Sequence, residues 1–102
     1  MMSISVQVSD SAAVIRLEGR FDFQAHRDFK QCCDSALANE SVRRIEVDFD
    51  NVEYLDSSAL GMLLMLKERA ERKTRTISLV NCKGTVRNIL EVANFNKLFT
   101  VQ

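Results

Sequence analysis

Two segments rich in β-branched residues enclose a long apolar segment with helical spacing, and this arrangement limits the fold more than any other feature. Residues 43–49 (RRIEVDF) and 75–81 (RTISLVN) have the composition of β-strands. Between them, residues 57–70 repeat apolar side chains at the three- and four-residue spacing of an α-helix. This strand, helix, strand order predicts that the two strands pair in parallel through a right-handed crossover.

The segments on either side continue the same pattern. The other predicted elements are a hairpin (residues 4–8 and 13–19), a helix with Asp22 as its N-cap (residues 24–38), a helix after Gly84 and a last strand (residues 98–101). We therefore expect one α/β domain over residues 1–102, with a mixed, mostly parallel sheet and helices packed against it.

The composition excludes several classes of protein. Fourteen basic residues balance fourteen acidic ones, so direct nucleic-acid binding is not expected, and we interpret the basic run at residues 72–75 as a solvated helix end. The longest apolar run, residues 62–66, is too short to enter a membrane, and residues 1–19 do not resemble a signal peptide. Three cysteines in an unpaired pattern favour the cytoplasm.

Residues that could carry out catalysis or bind a cofactor are few. His26 is the only histidine, and its neighbours at helical spacing place it on the solvated face of its helix. The cysteines and this histidine do not make a transition-metal site, and the three glycines are too scattered for a phosphate-binding loop. Asp48, Asp50 and Glu53 could bind magnesium, although a solvated acidic loop is the simpler interpretation. We expect neither an enzyme nor a bound cofactor or metal.

The polar residues before the central helix allow two interpretations. Asp56 or Ser57 can act as the N-cap, and most such residues have no other role. A helical wheel, however, places Ser57 and Gly61 on the face opposite the core, with Ser58 and Met65 beside them. The predicted core face consists of Ala59, Leu63, Leu66 and Ala70, flanked by Leu60, Met62 and Leu64. An accessible hydroxyl beside a glycine and flexible methionines suits a protein-docking surface.

These residues carry a resemblance to a known family. The sequence DSSALG (residues 56–61) resembles the phosphorylation motif of STAS-domain anti-sigma-factor antagonists. Residues 17–25 (LEGRFDFQA) are similar to the family's Gly-x-x-Asp segment, which places Asp22 at its acidic position. Residues 79–99 are similar to the strand, helix and final strand that follow. The resemblance covers essentially the whole chain.

The resemblance implies partner switching. The unphosphorylated antagonist binds an anti-sigma factor, often itself a serine kinase, and a PP2C-like phosphatase reverses the phosphorylation that ends this binding. Transferred to this sequence, the phosphate acceptor is Ser57, with Ser58 as second choice. Combined with the docking surface inferred from the helical wheel, this gives the expected partner-binding residues: Asp22, Asp56, Ser57, Ser58, Gly61, Met62 and Met65.

Two departures and two alternatives accompany this resemblance. Ala59 occupies a position where the family usually has glycine, and the family's final C-terminal helix is apparently missing. The same module also serves as an accessory subunit of transporters or as part of sensory scaffolds. A small enzyme or nucleotide-binding protein is the alternative from another class.

Overall fold

The computed structural model describes residues 2–102, which form an α/β domain with a five-stranded sheet and three α-helices. The elements in chain order are β1 (Met2–Ser9), β2 (Ala12–Phe21), a 3₁₀ turn (Phe23–Ala25), α1 (His26–Ala38), β3 (Arg44–Leu55), α2 (Ser57–Arg72), β4 (Thr76–Val80), α3 (Gly84–Val92), a second 3₁₀ turn (Phe95–Lys97) and β5 (Thr100–Val101). The predicted α/β class is confirmed.

The strands lie in the sheet in the same order as in the chain, from β1 to β5. β1 and β2 form the predicted antiparallel hairpin, while β2, β3, β4 and β5 pair in parallel. A helix connects each successive pair of parallel strands. The sheet is therefore mixed and mostly parallel, as the sequence indicated.

The core lies on one face of this sheet. Ile15, Val47 and Leu79 are aligned across β2, β3 and β4, and all three are fully buried. They belong to one hydrophobic cluster that also contains the buried side chains of all three helices. The strand residues that alternate with these buried ones, such as Arg16 and Asp48, point to the other face of the sheet, which is polar. The helices thus cover one side of the sheet and leave the other side open to water.

β3 differs from its prediction. The sequence indicated a strand that ends at residue 49, followed by a solvated loop, but β3 continues to Leu55. Two irregularities in the β2–β3 register, between Arg16 and Glu18 and between Gly19 and Arg20, keep the two strands paired to their ends. Asp50 and Glu53 therefore lie on a strand, and the predicted acidic loop is wrong.

Smaller differences occur at three other element ends. The helix predicted from residue 24 begins with a 3₁₀ turn and becomes α-helical only at His26. The predicted final strand over residues 98–101 is reduced to Thr100–Val101, because the N–H groups of Leu98 and Phe99 donate to the carbonyl oxygen of Phe95 and continue the preceding 3₁₀ turn. The described residues end with β5, so they contain no helix after it.

Arg75 contradicts the prediction that residues 72–75 are a solvated helix end. It is only 7% exposed, and its Nη1 donates to the carbonyl oxygens of Ala36 and Leu37 at 3.2 and 2.7 Å. These two carbonyls belong to the last turn of α1, where a helix leaves acceptors without intrahelical partners and favours positive charge. Arg75 thus caps α1 from the start of β4.

Membrane crossing by these helices is ruled out by their length and polarity. Across residues 2–102, none combines the extent and apolar character that a bilayer span requires.

Candidate functional site

The candidate site lies where β2 and β3 end side by side. Phe21 and Leu55, the last residues of these strands, are register partners, and both are buried. The backbone N–H of Asp56 donates to the carbonyl oxygen of Phe21 at 3.2 Å. Asp22 and Asp56 therefore follow the carboxyl ends of two neighbouring parallel strands. The structure thus brings these two predicted residues to the same end of the sheet.

Asp56 is the N-cap of α2. Its backbone is extended, with φ of −104°, and its Oδ1 accepts from the backbone N–H of Ala59 at 2.9 Å. Its carbonyl oxygen accepts from the N–H of Leu60 at 3.2 Å. Of the two capping residues that the sequence left open, the structure selects Asp56. Ser57 and Ser58 then begin the helix, and both are exposed.

Asp22 has a similar role one strand away. Its carboxylate accepts from the backbone N–H of Gln24 at 3.0 Å and caps the 3₁₀ turn that leads into α1. Asp22 is half-buried. The capping role predicted from the sequence is correct, although the capped segment is the 3₁₀ turn rather than the α-helix itself.

The two faces of α2 agree with the helical wheel. Ala59, Leu63, Leu66 and Ala70 are at most 1% exposed and belong to the core. On the outer face, Met65 is 54% exposed and Leu64 is 40% exposed. Gly61 is also exposed, and a Cβ added to it would meet no atom within 4 Å. The outer face beside Ser57 is therefore open, partly apolar and free of bulky side chains at its centre.

Met62 does not lie on this outer face. It was predicted to take part in partner binding, but only 6% of its surface is exposed and it belongs to the core. One helical step of about 100° separates Met62 from Gly61, and it turns the Met62 side chain toward the core. The structure therefore assigns Met62 to the support of the surface rather than to the surface itself.

A cleft of 230 Å³ between α1 and α2 adjoins the outer face through Met65. Its lining residues are His26, Phe29, Lys30, Cys33, Met62, Met65, Leu66 and Arg69. Asp34 of α1 accepts hydrogen bonds from Lys30 and from Arg69 of α2, and the bond from Arg69 holds the pKa of the Asp34 carboxyl below its usual range. This half-buried ion pair ties the two helices together beside the cleft.

Burial lowers the reactivity of the cysteines in this region. Burial raises the pKa of the Cys33 thiol, at the base of the cleft, to about 12, and it also raises the pKa of its neighbour Cys32. The thiolate is the nucleophilic form of cysteine, so Cys33 is inert at neutral pH. The cleft offers shape and an apolar lining rather than a nucleophile.

Phe23 is a candidate residue that the sequence analysis missed. It lies in the 3₁₀ turn directly after Asp22, and 71% of its surface is exposed. Large aromatic side chains are seldom left so exposed without a partner, and they are enriched at the centres of interfaces. The sequence did contain a signal. The apolar positions of the following helix begin at Ala25, and Phe23 is an aromatic residue that does not belong to them.

The predicted acidic cluster is held by ion pairs and hydrogen bonds. Asp50 accepts from Lys83 Nζ at 2.6 Å, and Asp48 accepts from Asn81 Nδ2 at 2.9 Å and faces Arg16 Nε at 3.7 Å. Among residues 2–102, no group of three or more histidine, cysteine or acidic side chains is arranged to hold a metal ion. Asp48 and Asp50 thus join the middle of β3 to β2 and to the segment that follows β4.

Comparison with known proteins gives matches over nearly the whole chain. Residues 4–101 match the family described as "Mlab, STAS domain". A STAS-domain containing protein of Pseudomonas aeruginosa (strain UCBPP-PA14) is 47% identical over 87 residues, which are 85% of this chain and 84% of that protein.

Three solved structures share the fold. An anti-sigma factor antagonist from Mycobacterium paratuberculosis has a TM-score of 0.86 and 21% identity, with 99% of this chain and 85% of that chain covered. The phosphorylated form of the Bacillus cell fate determinant SpoIIAA has a TM-score of 0.74 and 22% identity, with 98% and 91% covered. A sulfate transporter family protein from Wolinella succinogenes has a TM-score of 0.77 and 16% identity, with 90% and 74% covered.

These solved structures are too distant in sequence to show more than the fold, whereas the family match and the Pseudomonas relative cover most of the chain at the level of sequence. The family match and the Pseudomonas relative agree with the resemblance that the motif at residues 56–61 indicated. The chain belongs to the STAS-domain family.

Proposed function

We propose that this protein is an anti-sigma-factor antagonist that acts by partner switching in the cytoplasm. In its unphosphorylated form it binds an anti-sigma factor that is also a serine kinase. Phosphorylation of Ser57, with Ser58 as the second choice, releases this partner, and a PP2C-like phosphatase restores binding. The protein is a binding module and not an enzyme, and it contacts neither nucleic acid nor membrane directly.

The position of Ser57 is the observation that carries this proposal. Ser57 is exposed in the first turn of α2, directly after a capping residue that two backbone hydrogen bonds hold in place. A kinase can therefore reach the hydroxyl without unfolding any element. The N-terminus of a helix also tolerates an added phosphate, because its free N–H groups and dipole favour anions.

The docking surface we propose surrounds this serine. It consists of Asp22, Phe23, Ser57, Ser58, Gly61 and Met65, with Asp56 shaping the turn from which the serines project. Phe23 and Met65 supply apolar area, and Gly61 lets the backbone of a partner approach. A small exposed apolar surface of this kind suits a partner that must bind and be released.

A phosphate on Ser57 would act on binding rather than on folding. It adds about −1.5 to −2 charges at neutral pH. In the free protein, water and the helix N-terminus stabilise this charge. In a complex centred on Ser57 the same charge would be buried beside Gly61 and Met65, and an unpaired penalty of about 3 kcal/mol weakens binding by more than about 100-fold.

The proposal is tested with serine variants of the purified protein. Ser57→Ala and Ser57→Asp serve as paired baits in a lysate of the source organism, and captured proteins are compared by quantitative mass spectrometry. We expect the alanine bait to enrich a protein kinase at least about 100-fold over the aspartate bait. The captured kinase is then purified and incubated with ATP and the wild-type chain, Ser57→Ala or Ser58→Ala.

We expect phosphate on Ser57 in the wild type and in Ser58→Ala, and none in Ser57→Ala. Phosphate on Ser58 alone would show that the acceptor has been assigned to the wrong serine. Equal capture by both baits, or no phosphate on either serine, would refute the switch.

A second candidate is an accessory subunit of a transporter or a part of a sensory scaffold. The observation that favours it is the shared fold with the sulfate transporter family protein from Wolinella succinogenes. In this case the wild-type chain would copurify with a permease in the detergent-solubilised membrane fraction, and Ser57→Asp would not change the amount recovered.

A further inference from the structure

β1 forms one edge of the sheet and pairs on only one side. All eight of its residues, Met2 to Ser9, are aligned with β2 in an unbroken antiparallel register. The backbone groups on its other side point away from the sheet. The opposite edge of the sheet is β5, which has only two residues. Among the described residues, β1 is therefore the one edge long enough to accept another strand.

This edge lacks the features that normally prevent strands from pairing. Proteins protect exposed edges with charged residues, proline, bulges or very short strands. Residues 2–9 (MSISVQVS) contain neither a charged residue nor proline, and the register with β2 shows no bulge. The structure thus leaves an eight-residue edge open to another strand.

The apolar side chains of β1 are also incompletely covered. Met2, Ile4 and Val6 pack against the core but remain half-exposed, and Val8 is 41% exposed. They alternate with Ser3, Ser5, Gln7 and Ser9, which lie on the polar face of the sheet. An added strand with the same alternation would extend the core face and cover these side chains.

We propose that β1 pairs with β1 of a second copy of this chain, in an antiparallel arrangement centred on Ser5. A two-fold axis through the sheet at Ser5 places Met2 opposite Val8 and Ile4 opposite Val6 on the core face. It also places Ser3 opposite Gln7 on the polar face. Apolar residues then meet apolar ones and polar residues meet polar ones, and the two five-stranded sheets become one sheet of ten strands.

The second copy is a better occupant than an unrelated strand because the strand is complementary to itself. In a two-fold interface each side chain meets a residue of an identical strand, so a charge near the axis would lie close to its own copy. The uncharged sequence of β1 removes this repulsion. In the register centred on Ser5, the charged side chain nearest to β1 along the sequence, Asp10, lies beyond the paired residues.

The test introduces a charge at the two-fold axis without harming the monomer. Ser5 is exposed and is the register partner of Arg16, so Ser5→Glu places its carboxylate beside a cation within its own chain. In the dimer, the two new carboxylates would face each other. Thr76→Glu is the matched control. Thr76 is exposed on β4 and is the register partner of Arg44 on β3, and two strands, β2 and β3, separate it from β1.

Sedimentation equilibrium from about 10 µM to about 1 mM measures self-association. We expect the wild type and Thr76→Glu to form dimers with the same dissociation constant, and Ser5→Glu to raise that constant at least about tenfold. A wild type that remains monomeric at the highest concentration would overturn the proposal, as would a dimer that Ser5→Glu does not weaken.

A second measurement remains decisive even if Ser5→Glu folds poorly. Equal amounts of ¹³C-labelled and unlabelled wild-type chain are mixed, and isotope-filtered NOEs are recorded between chains. We expect contacts between the Ile4 methyl groups of one chain and the Val6 methyl groups of the other. A dimer without these contacts would place the interface elsewhere and would refute pairing through β1.

Discussion

Phe23 and Met65 are the two most exposed apolar side chains of the docking surface that we propose. They are 71% and 54% exposed, whereas the apolar residues of the core face of α2 are almost fully buried. Neither side chain supports the fold to the extent that a buried residue does. Their removal should therefore affect binding and leave stability nearly unchanged.

The first prediction concerns Phe23. Phe23→Ala should weaken binding of the kinase captured by the Ser57→Ala bait at least about fivefold, because truncating an aromatic anchor in an interface costs more than about 1 kcal/mol. The melting temperature should stay within about 2 °C of the wild type. Binding is measured by isothermal titration calorimetry. Val92→Ala is the control, since Val92 is 85% exposed but lies on α3. Equal affinities for the two variants would remove Phe23 from the docking surface.

The sequence predicted most residues of α2 correctly because one geometric rule decides them. Each residue turns by about 100°, and the buried stripe then follows from the apolar positions. The same rule failed to predict that Met62 is buried and that Phe23 is exposed, for two different reasons. Met62 flanks the stripe, and whether a flanking residue is buried depends on how closely α1 packs beside it. Phe23 lies in a turn, where helical spacing carries no information.

At the scale of elements, α2 has one buried face and one exposed face, and the second prediction tests the proposal that the exposed face binds the partner. Leu63 is fully buried and Gly61 is exposed. Leu63→Ala should lower the free energy of unfolding by about 2–5 kcal/mol, because it leaves a cavity in the core. Gly61→Arg should retain or slightly raise stability, by up to about 1 kcal/mol from helix propensity. The same variant should abolish binding of the captured kinase.

Urea denaturation and calorimetry on both variants distinguish the two faces. Gly61→Ala serves as a control that removes glycine while adding only one methyl group. It should leave the fold intact, since a Cβ at this position meets no atom within 4 Å of its own chain, and it should weaken binding far less than Gly61→Arg does. If Gly61→Arg bound normally and melted early, the assignment of the faces would be wrong.

The third prediction concerns the cap of α1 by Arg75. Arg75→Met keeps most of the side-chain volume but leaves the carbonyls of Ala36 and Leu37 without this donor. The loss should be about 1.5–3 kcal/mol, as for buried hydrogen bonds with a charged partner. Arg72→Met is the control, because the Arg72 side chain is 72% exposed and its ion pair with Glu68 is worth about 0.5 kcal/mol or less. Chemical denaturation of the two variants side by side measures the difference, and equal losses would contradict the capping role.

Arg75 and β3 show what sequence patterns cannot reveal about elements. Arg75 follows three other polar residues, and its burial depends on carbonyls nearly forty positions earlier in the chain. The extension of β3 to Leu55 depends on register irregularities shared with β2. Both features come from contacts between distant segments, so local composition did not indicate them. The order of strands and helices depends on local periodicity, and that order was predicted correctly.

At the scale of the whole molecule, the buried thiols report on the integrity of the fold. Burial raises the pKa of Cys33 to about 12 and that of Cys82 to about 11. The fourth prediction is that iodoacetamide at about pH 8 modifies Cys32 first, while Cys33 and Cys82 react at least about 100-fold more slowly than a free thiol. In guanidinium all three should react alike. Mass spectrometry after timed quenching gives the three rates, and fast modification of Cys33 in the native protein would show that its helix is not closed over it.

The same pKa shifts make the free energy of unfolding depend on pH in the alkaline range. The folded protein holds the Cys33 proton more tightly than the unfolded chain, whose thiol titrates near 9.0. The resulting stabilisation is complete below pH 9 and is lost as the pH rises toward 12. Cys33→Ala should therefore show a smaller decrease in unfolding free energy between about pH 9 and pH 11 than the wild type does. Parallel curves for the two proteins would count against the shift.

The order of strands in the sheet has a consequence for how the chain is made. Because β1 to β5 lie side by side in chain order, each strand that leaves the ribosome docks on the strand synthesised just before it. Chains whose contacts join nearby segments close short loops and fold quickly, and domains fold as synthesis proceeds. No strand has to be inserted between two that are already paired. The hairpin of β1 and β2 can thus serve as a template, on which the sheet grows in one direction from the first residues translated to the last.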